Sequence, residues 1–232
     1  MLRKASLAKT SGLRAKYAKR GLAFAGRVDR TTQTMLLRQL YLSHMEARRF
    51  TEALDVADQM VGLGVMTDVA RQDAARACLG VGDREAAIRH LRLASRVSPP
   101  SRRAFHFWTL GSVLYLAGDH TGAVGALMRA ARWGTTDRPL YEAQLALARI
   151  ALGEPAGELR PLRERLEDAP CGQGYGQFVL GEIAFAEGDF RAARLWLSGF
   201  VKRSTSGRVA LAVALEGEIV RARQRLAEMR RR

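Results

Sequence analysis

The residues best suited to chemistry in this 232-residue chain are four histidines, two cysteines and several glycine-bearing turns. To hold a metal ion, His44, His90, His106 and His120 would need i, i+4 spacing or cysteines beside them, and they have neither. His44 reads instead as a packed side chain and His120 as a surface residue at a turn. Cys78 and Cys171 show no pairing pattern, which fits a reducing compartment and a cytoplasmic location rather than a disulfide framework. The stretch CGQGYGQF, Cys171 to Phe178, has three glycines but opens a helix with no strand before it. It therefore reads as a loop between structural units, not as a dinucleotide fingerprint. No glycine is followed at P-loop spacing by Lys-Ser or Lys-Thr, and no Ser, Cys or Lys stands in a nucleophile setting. These residues point away from an enzyme and imply no cofactor and no metal.

Three further turns share one pattern: GDREAA at Gly82 to Ala87, GDHTGA at Gly118 to Ala123 and GDFRAA at Gly188 to Ala193. They could cradle phosphate or form the elbows of a repeated unit, and spacing decides between the two. Ala123 lies 36 residues after Ala87, and Ala193 lies 70 after Ala123, which is twice 35. Ala53 stands 34 before Ala87, with Arg48-Arg49 in place of Gly-Asp, and Gly153-Glu154 falls midway between the last two copies. Five elbows at 34- to 36-residue intervals mark a repeat array.

Around each elbow the elements read helix, turn, helix. Phe107, Leu110 and Leu114 have helical spacing that ends at Gly118, a residue suited to a helix C-terminus. Asp119 can then cap a second helix whose apolar stripe runs Ala123, Leu127, Ala130. Leu180, Ala184, Gly188-Asp189, Ala193, Leu197 and Phe200 repeat the pattern. No strand-type alternation appears, so the fold class is all-α.

On these residues the chain resembles the tetratricopeptide repeat (TPR) family, whose unit is a helix pair of about 34 residues. The Leu-Gly pair of the family's first helix is matched by Leu110-Gly111 and Leu180-Gly181. The Ala opening its second helix is matched by Ala53, Ala87, Ala123 and Ala193, a later Ala by Ala94 and Ala130, and a closing Pro by Pro99. Two departures stand out. Leu40-Tyr41 replaces Leu-Gly in the first unit, and in the fourth Glu158 replaces the opening Ala while Pro161 forces a late helix start near Arg160. The resemblance implies an α-solenoid of antiparallel helix pairs over residues 34–208, in five units beginning near 34, 68, 104, 139 and 174. A basic, partly helical segment (1–33) precedes it. Residues 209–232 follow as a capping helix with a basic end, its apolar stripe running Leu215, Ile219, Ala222, Leu226, Met229. Ala18, Leu22 and Ala25 suggest an N-terminal half-unit.

Proteins of this family usually bind partner segments in a groove lined by the first helices. The resemblance thus implies a non-enzymatic adaptor or co-chaperone holding a peptide or helix of another protein. The matching face reads Phe105, Trp108, Ser112, Tyr115 in the third unit and Tyr175, Phe178, Glu182, Phe185 in the fifth. Arg38, Gln72 and Arg76 supply polarity from the first two units. The aliphatic set Leu140, Ala143, Leu147, Ile150 reads as core. For the aromatic face two readings stand: groove wall, or packing between adjacent first helices.

Charge supplies the alternative function. The chain carries +15, of which residues 1–30 hold +8 (nine Lys/Arg, one acid) and residues 221–232 hold +5 (six Arg, one Glu), leaving +2 for the remainder. Basic ends could hold nucleic acid or an anionic membrane by counterion release, with the array as scaffold, or could simply be solvated. Only Tyr17 and Phe24 interleave the N-terminal cations, which disfavours base stacking. That segment is Arg/Lys-rich and acid-poor like an organellar transit peptide, with no apolar run of a secretory signal. The chain uses 33 Arg against 5 Lys and no Asn, a bias that reads as GC-rich bacterial coding. The arginines flanking the C-terminal stripe oppose self-pairing, so a monomer is expected.

Overall fold

The computed structural model describes residues 1–207 and 209–231. Arg208 and Arg232, the last of the basic C-terminal run, lie outside the described residues, as does the side chain of Ala25 in the N-terminal half-unit. Among the described residues every regular element is helical, in two units, Met1–Ser98 and Pro99–Arg232.

The N-terminal unit consists of α1 (Leu2–Ser6), α2 (Ser11–Leu22), α3 (Arg30–Glu46), α4 (Phe50–Gly62), α5 (Thr67–Val81) and α6 (Arg84–Val97). Each helix packs on the next, so α3/α4 and α5/α6 are the first two helix pairs and α2 lies against α3 ahead of them. Helix α2 turns Arg14, Ala18 and Gly21 inward, and its Gly21 sits directly against the Leu36 side chain.

The C-terminal unit holds three more pairs: α7 (Pro100–Leu116) with α8 (His120–Trp133), α9 (Arg138–Leu152) with α10 (Leu159–Asp168), and α11 (Gly176–Ala186) with α12 (Phe190–Ser206). A short α13 (Val209–Ala214) and the closing α14 (Glu216–Arg230) follow. The fold is an all-α, TPR-like solenoid of antiparallel helix pairs with a C-terminal capping helix.

Local chemistry explains the elbows. Gly118 and Gly188 adopt φ of 82° and 80°, a left-handed conformation that ends the first helix without a Cβ clash. The following aspartates cap the second helix: Asp83 accepts from the Ala86 N–H at 2.8 Å, Asp119 from Gly122 at 2.8 Å and Asp189 from Ala192 at 3.0 Å. At the first elbow Arg48 takes the left-handed role with φ 54°, a conformation that costs an L-residue about 1–2 kcal/mol. The Leu-Gly pairs have a packing purpose. A Cβ on Gly111 would lie 2.6 Å from Leu127 Cγ, and one on Gly181 would lie 2.5 Å from Leu197 Cγ. Only glycine allows the two helices of a pair to approach this closely.

Two elements differ from the regular pattern. Helix α10 has only 10 residues and begins at Leu159, which places Pro161 in its first turn, where a missing N–H is harmless. Residues 209–230 do not form one continuous helix, because the helical conformation breaks at Leu215 (φ −111°, ψ 19°). Past that break Ile219, Ala222 and Met229 are buried, and α14 packs on α12 and α11, with Arg194 donating to the Met229 carbonyl. Among the described residues, no helix is long and apolar enough to cross a membrane.

Candidate partner-binding faces

In the N-terminal unit the first helices α3 and α5 are joined by polar side chains around Asp73, which is buried on α5. Arg38 Nε lies 2.8 Å from Asp73 Oδ2, and Arg76 contacts Oδ1 from one turn away at 3.8 Å. The Tyr41 hydroxyl donates to the Asp73 carbonyl at 2.9 Å, and burial followed by the Asp73 charge pushes the phenol pKa far above its usual value. Both guanidiniums keep about a third of their surface in solvent (33% and 34%). Half-buried Met35, Leu42 and Val69 share this first-helix face with Leu79, 39% exposed, while Gln72 is buried within it. Asp73 therefore holds two cations in place and leaves them available on a partly apolar face.

The same face of the C-terminal unit is closed. Trp108 Nε1 donates to Gln144 Oε1 at 2.6 Å, and Ser112 Oγ donates to the same oxygen at 3.3 Å. Gln144 Nε2 passes a bond to the Tyr175 hydroxyl (3.3 Å), which donates to Glu218 on α14 (3.2 Å). A second arm centres on Glu182, whose side chain is 2% exposed. Arg221 Nε lies 2.7 Å from Oε2 and Arg225 Nε 3.2 Å from Oε1. The Tyr115 hydroxyl donates to Oε2 at 3.3 Å and accepts from Arg221 at 2.9 Å. The two guanidiniums also lie over the rings of Tyr115 and Phe185, 4.9 and 4.2 Å from their centroids. Burial, then Glu182, pushes the Tyr115 phenol pKa well up.

In this geometry most of the aromatic face is packed against neighbouring helices rather than open. Phe178 is a core residue, 1% exposed, meeting Tyr175 edge-on (5.7 Å between ring centroids) and Phe200 at a tilt (5.4 Å). Tyr115 and Glu182 are buried where Arg221 and Arg225 of α14 supply partners for their polar atoms, and Ser112 is buried against Gln144 of α9. Trp108, Tyr175 and Phe185 are half-buried beside the same network, and Phe105, 38% exposed, flanks Trp108 at 5.6 Å. Of the aliphatic set, Leu140, Ala143 and Leu147 are buried and Ile150 is exposed. Sequence reasoning missed Asp73, Gln144, Glu218, Arg221 and Arg225.

No family model matches the chain, and no curated protein sequence matches it. Solved structures do. The crystal structure of MamA aligns at 17% identity and TM-score 0.44, covering 75% of this chain and 91% of its own. The TPR-like repeats of a kinesin light chain from Podosopora anserina align at 17% identity and TM-score 0.49, covering 77% of this chain and 96% of theirs. A point variant of those repeats aligns at 16% identity and TM-score 0.50, covering 80% of this chain and 94% of its own. At that identity the last likeness is one of fold, and it agrees with the helix pairs above: the chain has a TPR-like fold.

Proposed function

We propose that the chain is a divergent tetratricopeptide protein, an adaptor or co-chaperone without catalytic activity, that holds a segment of another protein on the first-helix face of its N-terminal unit. The observation that carries this reading is the contrast in occupancy. Arg38 and Arg76 are held by Asp73 yet one-third exposed beside Leu42 and Leu79, whereas the equivalent face of the C-terminal unit is filled by α14. A partner helix or extended segment with an apolar stripe and one or two carboxylates fits such a face, because apolar contact supplies affinity and the guanidiniums set register. The free Cys78 and Cys171 support a cytoplasmic, reducing setting. We expect a monomer, since the apolar stripe of α14 is covered within its own unit.

The test is peptide-library selection on the full-length protein, followed by titration of the selected peptide. Arg76→Ala with Leu79→Ser should weaken binding by about 1–3 kcal/mol while leaving the melt within a few degrees. Phe105→Ala, in the other unit, should leave binding unchanged. If Phe105→Ala abolishes binding and the Arg76/Leu79 variant does not, the site lies elsewhere and the reading fails.

A further inference from the structure

We infer that α2 and the segment before it dock on an anionic lipid surface. Residues 1–28 contain eight Lys/Arg and no acid, and they hold four of the five lysines in a chain that otherwise uses arginine. Only one of the eight is turned inward: Arg14 is buried and lies 2.6 Å from Glu46 Oε2. With Arg14, Ala18 and Gly21 against the unit, the opposite side of the 12-residue helix presents Lys16, Lys19 and Arg20 to solvent. None of these three has a carboxylate partner among the described residues. An array of cations left without counter-charges is complementary to a surface that supplies negative charge at many points.

Apolar side chains on the same side decide which surface. Leu13 is 43% exposed and Phe24 is 55% exposed; they lie at spacings of 3, 4 and 4 with Lys16 and Arg20 between them. Leu7, 71% exposed, precedes them in the link from α1. A nucleic acid backbone has no use for exposed leucine. A bilayer interface uses both parts. Leucine and phenylalanine enter the boundary between headgroup and acyl chain, and lysine stems extend along it with the charge at the phosphate level. This inference is independent of the partner face on α3 and α5, which lies on other helices.

The test uses the full-length protein and extruded vesicles of phosphatidylcholine alone or mixed with phosphatidylglycerol. Sedimentation should show binding to the anionic vesicles only, lost at about 0.5 M salt, where the screening length falls to a few ångströms. Lys16→Glu with Lys19→Glu should weaken it by at least about tenfold. Leu13→Ser with Phe24→Ser should weaken it comparably while every charge is kept. Both pairs face solvent, so their circular dichroism and melts should match the parent; if the charge-reversed pair fails to fold, Lys16→Gln with Lys19→Gln takes its place. Failure of the parent to bind anionic vesicles at low salt overturns the inference. So does an unchanged affinity of the Leu13/Phe24 variant for vesicles. Tighter binding to duplex DNA or RNA, indifferent to the Leu13/Phe24 change, would also overturn it and assign the cations to nucleic acid.

Discussion

Helices α2 and α14 are both basic, yet they use their cations in opposite ways. On α14, Arg221 and Arg225 turn into the unit and share one buried carboxylate. On α2, Lys16, Lys19 and Arg20 turn outward and meet no carboxylate among the described residues. The difference lies in what each helix faces. Helix α14 packs on α11, which brings Glu182; α2 packs on α3, where Glu46 is matched by the single inward cation, Arg14. Net charge per segment is thus a poor guide to what a basic helix does, because a cation's role depends on the side of the helix it occupies.

The largest expected effect is at Glu182. Glu182→Ala leaves two partly buried guanidiniums without their shared carboxylate and should cost about 3 kcal/mol, read from urea denaturation. A loss below about 0.5 kcal/mol would place α14 with α2 as a solvated basic helix. Next in size, Tyr115→Phe removes a hydroxyl that donates to Glu182 and accepts from Arg221, and should cost about 1–2 kcal/mol.

A smaller effect concerns the α2 side and pH. Burial, then Arg49 and more weakly Lys19, lower the pKa of His44, with Glu52 opposing them. The native state therefore disfavours the protonated ring. Stability is complete above the ordinary histidine pKa and falls as acid drives the pH down towards the lowered native value. Melts at pH 7.5 and pH 5 should show this loss, and His44→Gln should reduce the difference. Smallest of all, Lys16→Ala should change stability by less than about 0.5 kcal/mol, since its side chain meets only solvent.

What was legible in the sequence was local. Gly118-Asp119 and Gly188-Asp189 place a left-handed residue and a capping carboxylate within one turn of each other, so the elbows follow from adjacent residues. Leu110-Gly111 and Leu180-Gly181 pointed to close helix contact for the same reason. The direction of Phe178 was not legible, because eight of the eleven residues of α11 are buried and a helix apolar on all sides has no period to read. Nor was the closing of that face by α14. Arg221 and Arg225 stand 39 and 43 residues beyond Glu182, and only the packing of α14 on α11 brings them together. The break at Leu215 has no marker in the sequence that we recognise.

The Tyr115–Glu182–Arg221 cluster has a consequence for how the C-terminal unit comes apart. In most repeat arrays each helix pair answers only to its immediate neighbours, so melting starts at an end and proceeds inward by fraying. Here residues from α7, α11 and α14 share hydrogen bonds, so the last helix is tied to the first one of its unit as well as to the one beside it. Releasing α14 disturbs Tyr115 three pairs away. The terminal helix should therefore exchange its amide hydrogens as slowly as α7, and the unit should unfold in one cooperative step, with no frayed intermediate.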